Sequence, residues 1–154
     1  MPPTCSAVER VFSFQHRVYW EDTDAGGVVY HASYLCFLER ARTEWLRAHG
    51  VEQHGMRESQ DLVMAVRSLQ VEFQAPARLD DLLESRLRLS ERRGASFSLA
   101  QELWRGSECL LHAEVQIACL RASSFRPRAL PPWLVAAIGA PARIRTENMP
   151  GDTP

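Results

Sequence analysis

The chain has 154 residues, of which 45% are hydrophobic and 24% charged, and this balance predicts one globular domain around a single core. Its formal net charge of -1 gives no general attraction for nucleic acid, so a nucleic-acid partner is not expected. All 18 basic residues are arginines, which excludes both a Schiff-base lysine and the phosphate-binding lysine of a P-loop.

The N-terminus lacks the charged and apolar pattern of a signal peptide, and no apolar run is long enough for a membrane span. The sequence therefore predicts a cytoplasmic protein, with a flexible N-terminus over residues 1–11. The cysteines lack the spacing of zinc ligands, and we interpret all of them as free, buried thiols: Cys5, Cys36, Cys109 and Cys119. Neither a metal nor another cofactor is expected.

The first predicted elements are a strand over residues 12–18 and a long helix over residues 33–49, separated by a glycine turn at residues 26–27. Within the helix, apolar side chains recur at steps of four and three, which places them on one face: Tyr34, Leu38, Ala41, Trp45 and Ala48. Ser33 is expected to cap the start of the helix, and Gly50 to end it in the left-handed conformation.

Four strands with alternating side chains are predicted downstream, over residues 67–74, 83–89, 97–103 and 111–119. One face of the first of these strands carries Arg67, Leu69, Val71 and Phe73. Links of hairpin length join the four strands in succession, which indicates an antiparallel sheet. A short helix ending at Ile138 follows, and residues 139–154 are expected to be a disordered tail. We therefore predict an α+β domain over residues 12–138, with the sheet wrapped around one long central helix.

Asp24 is the candidate catalytic residue, because it lies just ahead of the long helix. The first N–H groups of a helix have no intrahelical acceptor, and the helix dipole favours negative charge there. A carboxylate beside them suits attack on a carbonyl, as nucleophile or as base, while N–H groups receive the oxyanion. The alternative is that Asp24 only caps the helix or the glycine turn, and Asp22 fits an outward structural role.

Two other interpretations of the aspartate pair have less support. A calcium loop that opened at Asp22 would place Gly26 and Ser33 at ligand positions, so two of its ligands are missing. A phosphatase nucleophile would need Mg2+ and a supporting lysine, and the sequence contains no lysine.

Four stretches of the sequence carry a resemblance to a known family: RVYWEDTDAGGVVYH (residues 17–31), ERARTEWL (39–46), VEFQAPARLDD (71–81) and PRALP (127–131). With them, the chain resembles the 4-hydroxybenzoyl-CoA thioesterase-like hotdog family. Within that family it is most similar to the YbgC type, the small acyl-CoA thioesterases associated with the Tol-Pal cell-envelope system. The resemblance implies the hotdog fold and hydrolysis of acyl-CoA to a carboxylic acid and CoA, without a metal or redox cofactor.

The resemblance also implies roles for individual residues. The aspartate of the T-D-x-x-G motif, Asp24 here, is the family's catalytic carboxylate, and His31 stands at the position that offers its backbone N–H to the thioester carbonyl. The His31 side chain can orient water or donate to the carbonyl or the leaving thiolate, or it is a structural residue at the helix start. Tyr30 is assigned to the substrate site, with packing as the alternative.

A basic turn is the second region that the resemblance assigns to the substrate, through the CoA nucleotide: Arg92, Arg93, Gly94 and Ser96. Arginine suits phosphate geometry, although a solvated hairpin is the alternative, in which case Arg121, Arg126 or Arg128 are the next candidates. The family forms homodimers edge to edge, often paired into homotetramers, with active sites at the subunit interface. An acyl carrier protein or envelope-associated proteins are further partners to test, and a non-hydrolytic acyl-CoA or carrier-protein binding module is the alternative function.

Overall fold

The computed structural model of the protein describes residues 11–141. The predicted flexible N-terminus, except for Val11, and the predicted disordered tail from residue 142 onward lie outside the described residues. The helices and strands in chain order are β1 (Phe12–Arg17), α1 (His31–Ala48), α2 (Gln53–Gln60), β2 (Leu62–Phe73), β3 (Leu82–Arg92), β4 (Ser96–Arg105), β5 (Glu108–Arg121) and α3 (Pro132–Ile138). A 3-10 turn lies at Trp20–Asp22 between β1 and α1.

The five strands form one antiparallel sheet in the order β1-β3-β4-β5-β2, with the long helix α1 packed on one face. This confirms the predicted α+β hotdog architecture. The predicted succession of hairpins was wrong at one point, because β2 pairs with β5 instead of β3. Residues 74–81 carry the chain from that edge across to β3, and they are held on the way because the Tyr34 hydroxyl lies 2.9 Å from the Ala77 amide nitrogen.

A bulge in β2 changes which of its side chains face the helix. The register with β5 shifts between Val66 and Ser68, so Arg67 has no paired residue across the ladder. Val66 and Leu69 therefore point to the same face, and Arg67, as the extra residue of the bulge, interrupts the regular alternation that was predicted for this strand. On this outer strand Val66, Leu69 and Phe73 remain 48%, 38% and 51% exposed.

Helix α1 supplies the centre of the core, as the apolar spacing predicted. Its buried residues are Tyr34, Phe37, Leu38, Ala41, Arg42, Trp45 and Leu46, whereas Ala48 is exposed at the last turn. The prediction that Ser33 caps the helix was wrong, since α1 begins at His31 directly after an extended Tyr30 and the Ser33 amide donates to the Tyr30 carbonyl at 2.8 Å. Gly50 follows α1 with a φ of +76°, as expected for a left-handed end.

One buried polar network crosses from α1 to the sheet. Arg42, only 7% exposed, donates to Gln101 Oε1 at 2.9 Å, and Gln101 Nε2 donates to the Leu38 carbonyl at 3.2 Å. Arg42 also forms an ion pair with Glu39. Because each partner satisfies the next, these groups fix α1 against β4 without leaving a buried charge unpaired.

The thiols of the described residues differ from the prediction that all are buried. Cys119 is buried and Cys109 partly so, but Cys36 is exposed on α1. All three are free, as predicted. Within residues 11–141, the helices are too short or too polar to cross a membrane.

Candidate functional site

The loop between β1 and α1 is fastened to the rest of the fold through its backbone. Val18 N donates to the Asp81 carbonyl at 3.0 Å, and Asp80 N donates back to the Val18 carbonyl at 3.1 Å. Near the other end of the loop, Val29 N donates to the Ala77 carbonyl at 2.9 Å. Since both ends are tied to residues 77–81, the loop has a fixed position at the beginning of β3.

Asp22 holds the inside of this loop. Its carboxylate accepts a hydrogen bond from Tyr19 N at 2.8 Å, and its carbonyl accepts one from Tyr30 N at 2.8 Å. The prediction that Asp22 points outward was wrong, because this residue is only 7% exposed. Its function in the structure is to satisfy backbone N–H groups in the interior of the loop.

Asp24 stands at the exposed tip of the loop. Its backbone N–H donates to the Val28 carbonyl at 2.9 Å, and its Oδ1 accepts the Gly26 N–H at 2.7 Å. Gly26 is needed because a Cβ at this position would lie 3.0 Å from that oxygen. Gly27 is needed for a different reason, since its φ of +75° is a backbone conformation that other residues rarely adopt. Asp24 is an exposed residue, so its carboxylate is accessible from solvent.

Tyr30 and His31 lie where the loop enters α1. A β-bridge between Thr23 and Val29 closes the loop, so Asp24 and the helix start lie at the same end of the sheet. The two rings are exposed and their centroids are 4.5 Å apart. As the first residue of α1, His31 presents a backbone N–H that has no intrahelical acceptor. The structure thus places Asp24, Tyr30 and His31 at the same end of the sheet, with Tyr30 and His31 in ring contact.

The basic turn lies at the opposite end of β3 within the same chain. This strand begins at Leu82, which pairs with Arg17 just before the loop, and it ends at Arg92, roughly 33 Å away. Arg92 donates to the Gly139 carbonyl, and Arg93 Nε donates to Glu91 Oε1 at 2.9 Å. Gly94 accepts the Leu130 amide at 2.8 Å through its carbonyl, and Ser96 is buried. One copy of the chain therefore does not bring this turn to Asp24.

His16 is a residue near the loop that sequence reasoning missed. It is 6% exposed, its Nε2 lies 2.8 Å from Ser85 Oγ, and its ring packs between Phe14 and Phe37. Burial lowers its pKa from 6.5 to about 4, and the charge of Arg40 adds to this decrease while Asp22 opposes it. The nearest signal in the sequence is its alternation with Phe14 in β1, which indicates an inward position.

The arrangement at the loop is suited to chemistry on a carbonyl carbon. It combines an exposed carboxylate with the His31 backbone N–H, which has no intrahelical acceptor and can donate a hydrogen bond to an oxygen on which negative charge develops. In the described part of the chain, histidine, cysteine and acidic side chains do not gather into a group of three that fits a metal ion.

Comparisons with known proteins identify the family of the chain. The model of the thioesterase-like superfamily matches residues 18–138. The acyl-CoA thioester hydrolase YbgC of Escherichia coli O6:H1 is 46% identical over 127 residues, covering 82% of this chain and 94% of the relative. The acyl-CoA thioesterase YbgC of Haemophilus influenzae is 46% identical over 126 residues, covering 82% and 93%.

A solved structure extends the agreement to the fold. The crystal structure of a probable thioesterase from Bartonella henselae superposes with a TM-score of 0.76 at 39% sequence identity, over 79% of this chain and all of the other. The family model spans the Asp24 loop, the central helix and strands β2 to β5. On these grounds the chain belongs to the thioesterase-like superfamily, with the YbgC thioesterases among its relatives.

Proposed function

We propose that this protein hydrolyses acyl-CoA thioesters to a free carboxylic acid and CoA, with Asp24 as the catalytic carboxylate. The observation that carries the proposal is the Asp24 carboxylate, held by Gly26 at the loop tip beside the start of α1. The names of the relatives that are 46% identical support the substrate class, since both are acyl-CoA hydrolases.

In the proposed reaction the thioester carbonyl oxygen accepts a hydrogen bond from the His31 backbone N–H. This contact polarises the carbonyl and stabilises the oxyanion as it forms. Asp24 then either attacks the carbonyl carbon to give a mixed anhydride or takes a proton from the attacking water. Both routes need an ionised carboxylate and release CoA as the thiolate, and the exposed His31 imidazole is the proposed proton donor to that thiolate.

The open edge of β2 supports assembly of a homodimer. β2 lies at the end of the sheet and exposes Val66, Leu69 and Phe73 on the face that carries α1. Antiparallel pairing of two β2 edges would bury these side chains and extend the sheet through both copies. It would also reverse the strand directions of the second copy, so that the partner's basic turn would lie at the same end as the first copy's Asp24. Pairing of two such dimers would give the homotetramer.

The cellular setting is part of the proposal. Free thiols at Cys36, Cys109 and Cys119 agree with a cytoplasmic location, where disulfides are rare. The resemblance to the YbgC type supports a connection with the Tol-Pal envelope system, in which an acyl carrier protein or an envelope-associated protein would be the partner.

Steady-state hydrolysis of a panel of acyl-CoAs, from short to long chains, tests the proposed function. We expect saturable turnover on at least one member of the panel, with the acyl length decided by pocket depth. Tight binding of acyl-CoA or acyl carrier protein without turnover on any member would instead identify a non-hydrolytic binding module and contradict the proposal.

A further inference from the structure

A row of three reactive side chains, Glu102, His112 and Cys109, lies on the face of the sheet turned away from α1. Gln101 and Leu103 point toward the helix, so Glu102 between them points to the outer face. His112 is directly opposite Glu102 in the β4–β5 register, and its Nδ1 lies 3.4 Å from Glu102 Oε1. Its other ring nitrogen, Nε2, lies 3.6 Å from Cys109 Sγ.

The Glu102 carboxylate at the end of this row is itself held in place. Trp104 Nε1 donates to Glu102 Oε2 at 2.9 Å, and the Arg86 guanidinium lies 4.6 Å from the centroid of the Trp104 ring. Across the register, Glu84 on β3 faces Trp104 and Glu72 on β2 faces His112. The imidazole is therefore oriented between a fixed carboxylate and a thiol.

We propose that Cys109 is a nucleophilic thiol that exchanges with small disulfides, with His112 as its base and Glu102 as the group that positions the imidazole. Nucleophile, base and carboxylate stand in the order that activates cysteine and serine nucleophiles in general. The site is distinct from the Asp24 loop, and the proposal does not depend on thioester hydrolysis.

The environment of Cys109 explains why a base is needed. Burial raises the pKa of its thiol, and the Glu102 carboxylate adds to the increase while Arg86 opposes it. The Cys109 thiol donates to the Leu111 carbonyl, with Sγ 3.6 Å from that oxygen. A thiolate derived from a thiol of higher pKa is the stronger nucleophile, so transfer of its proton to His112 at the moment of attack gives reactivity.

The exchange balances without any further reactant. The Cys109 S–H bond and the S–S bond of the small disulfide break, and a new S–S bond joins Cys109 to one half of it. His112 takes the proton from Cys109 and returns it to the departing thiolate, which leaves as a thiol. One disulfide is consumed and one is formed.

Incubation of the full chain with oxidised glutathione at neutral pH, followed by site-resolved mass spectrometry, tests this inference. The exposed Cys36 is the internal reference, because it is more accessible than Cys109. We expect Cys109 to be modified about 10-fold faster than Cys36 despite its lower exposure. Modification of Cys36 at an equal or higher rate would overturn the proposal, and this comparison needs no variant.

Variants of His112 and Glu102 test whether Cys109 reacts because its thiol is activated or only because it is accessible. His112→Gln should slow modification of Cys109 by about 10-fold or more, and Glu102→Gln by a smaller factor, with the rate at Cys36 unchanged. His54→Gln, which removes an exposed histidine on α2, is the matched control and should change neither rate. Circular dichroism checks that the variants are folded, and an unchanged Cys109 rate in folded His112→Gln would also overturn the proposal.

Discussion

The two ends of β3 hold their polar side chains in different ways. At its beginning, backbone hydrogen bonds to residues 77–81 fix the loop, and Asp24 is held by the Gly26 N–H. At its end, the guanidinium groups of Arg92 and Arg93 lie at the tips of long side chains, where one donates to the Gly139 carbonyl and the other forms an exposed ion pair with Glu91. A group placed by the backbone keeps its geometry, whereas exposed ion pairs contribute little and are screened by salt. We therefore expect the reaction to take place at the loop, and the turn to contribute only electrostatic attraction for the substrate.

Removal of the charge at the loop should have the largest effect. Asp24→Asn keeps an oxygen that can accept the Gly26 N–H, but it removes the nucleophile or base. We expect kcat to decrease by about 10²-fold or more with unchanged folding. Glu21→Gln neutralises another exposed carboxylate of the same loop and is the control, with near wild-type kcat. An Asp24→Asn protein that kept most of its kcat would remove Asp24 from the mechanism.

Acid should weaken the loop end of the fold through His16. In the folded chain its pKa is about 4 against 6.5 when unfolded, so below pH 6.5 the unfolded state binds a proton that the folded state does not. The free energy of unfolding should decrease by about 2 to 3 kcal/mol as pH falls from 6.5 to 4, and the effect is absent above pH 6.5. Urea unfolding at several pH values measures it.

His16→Gln provides the comparison for this pH dependence. The variant has no titrating imidazole at position 16, so the part of the pH dependence due to that group should disappear even if the variant is less stable throughout. Parallel curves of unfolding free energy against pH for the two proteins would show that His16 is not the responsible group.

The two glycines of the loop allow position and strain to be separated. Gly26→Ala puts a Cβ 3.0 Å from Asp24 Oδ1 and should displace the carboxylate, lowering kcat by about 10-fold. Gly27→Ala meets no atom within 4 Å but forces alanine to a φ of +75°, so it should cost about 1 kcal/mol of stability with a smaller change in kcat. Steady-state kinetics and thermal unfolding of both variants measure these effects. If Gly26 only shapes the backbone, Gly26→Ala should lower the stability and leave kcat nearly unchanged.

Much of the fold could be predicted because its elements have a strong hydrophobic period. The apolar steps of four and three along α1 and the alternation of β3, β4 and β5 identified these elements correctly. α2 was not predicted, since Met56 is its single buried residue and no apolar stripe marks it. The pairing of β2 with β5 could not be predicted either, because it joins strands far apart in sequence and includes a bulge at Arg67.

The candidate site divides in the same way. Asp24, Tyr30 and His31 are close in sequence, so one motif was enough to place them at one end of the sheet. The separation of Arg92 from Asp24 depends on the direction and length of β3, which no local pattern contains. The burial of His16 was missed for a related reason, since its environment comes from Phe37 and Ser85 on other elements.

The smallest effect is expected from the basic turn at the end of β3. It tests whether a second copy of the chain brings its basic turn to the Asp24 loop of the first. If the partner's turn binds the CoA phosphates, replacement of both Arg92 and Arg93 by alanine should raise KM for acyl-CoA by about 3- to 10-fold with little change in kcat, because binding common to substrate and transition state affects KM. Salt screens phosphate contacts, so the wild-type KM should increase with ionic strength more steeply than that of the variant.

A thioester of a short thiol without the nucleotide is the control substrate, and its hydrolysis should be the same in both proteins. Light scattering at micromolar concentration completes the test, since a monomer cannot bring the turn to the loop. A fully active monomer, or an equal KM and salt response in wild type and variant, would place the nucleotide elsewhere. Arg121, Arg126 and Arg128 would then be the residues to replace.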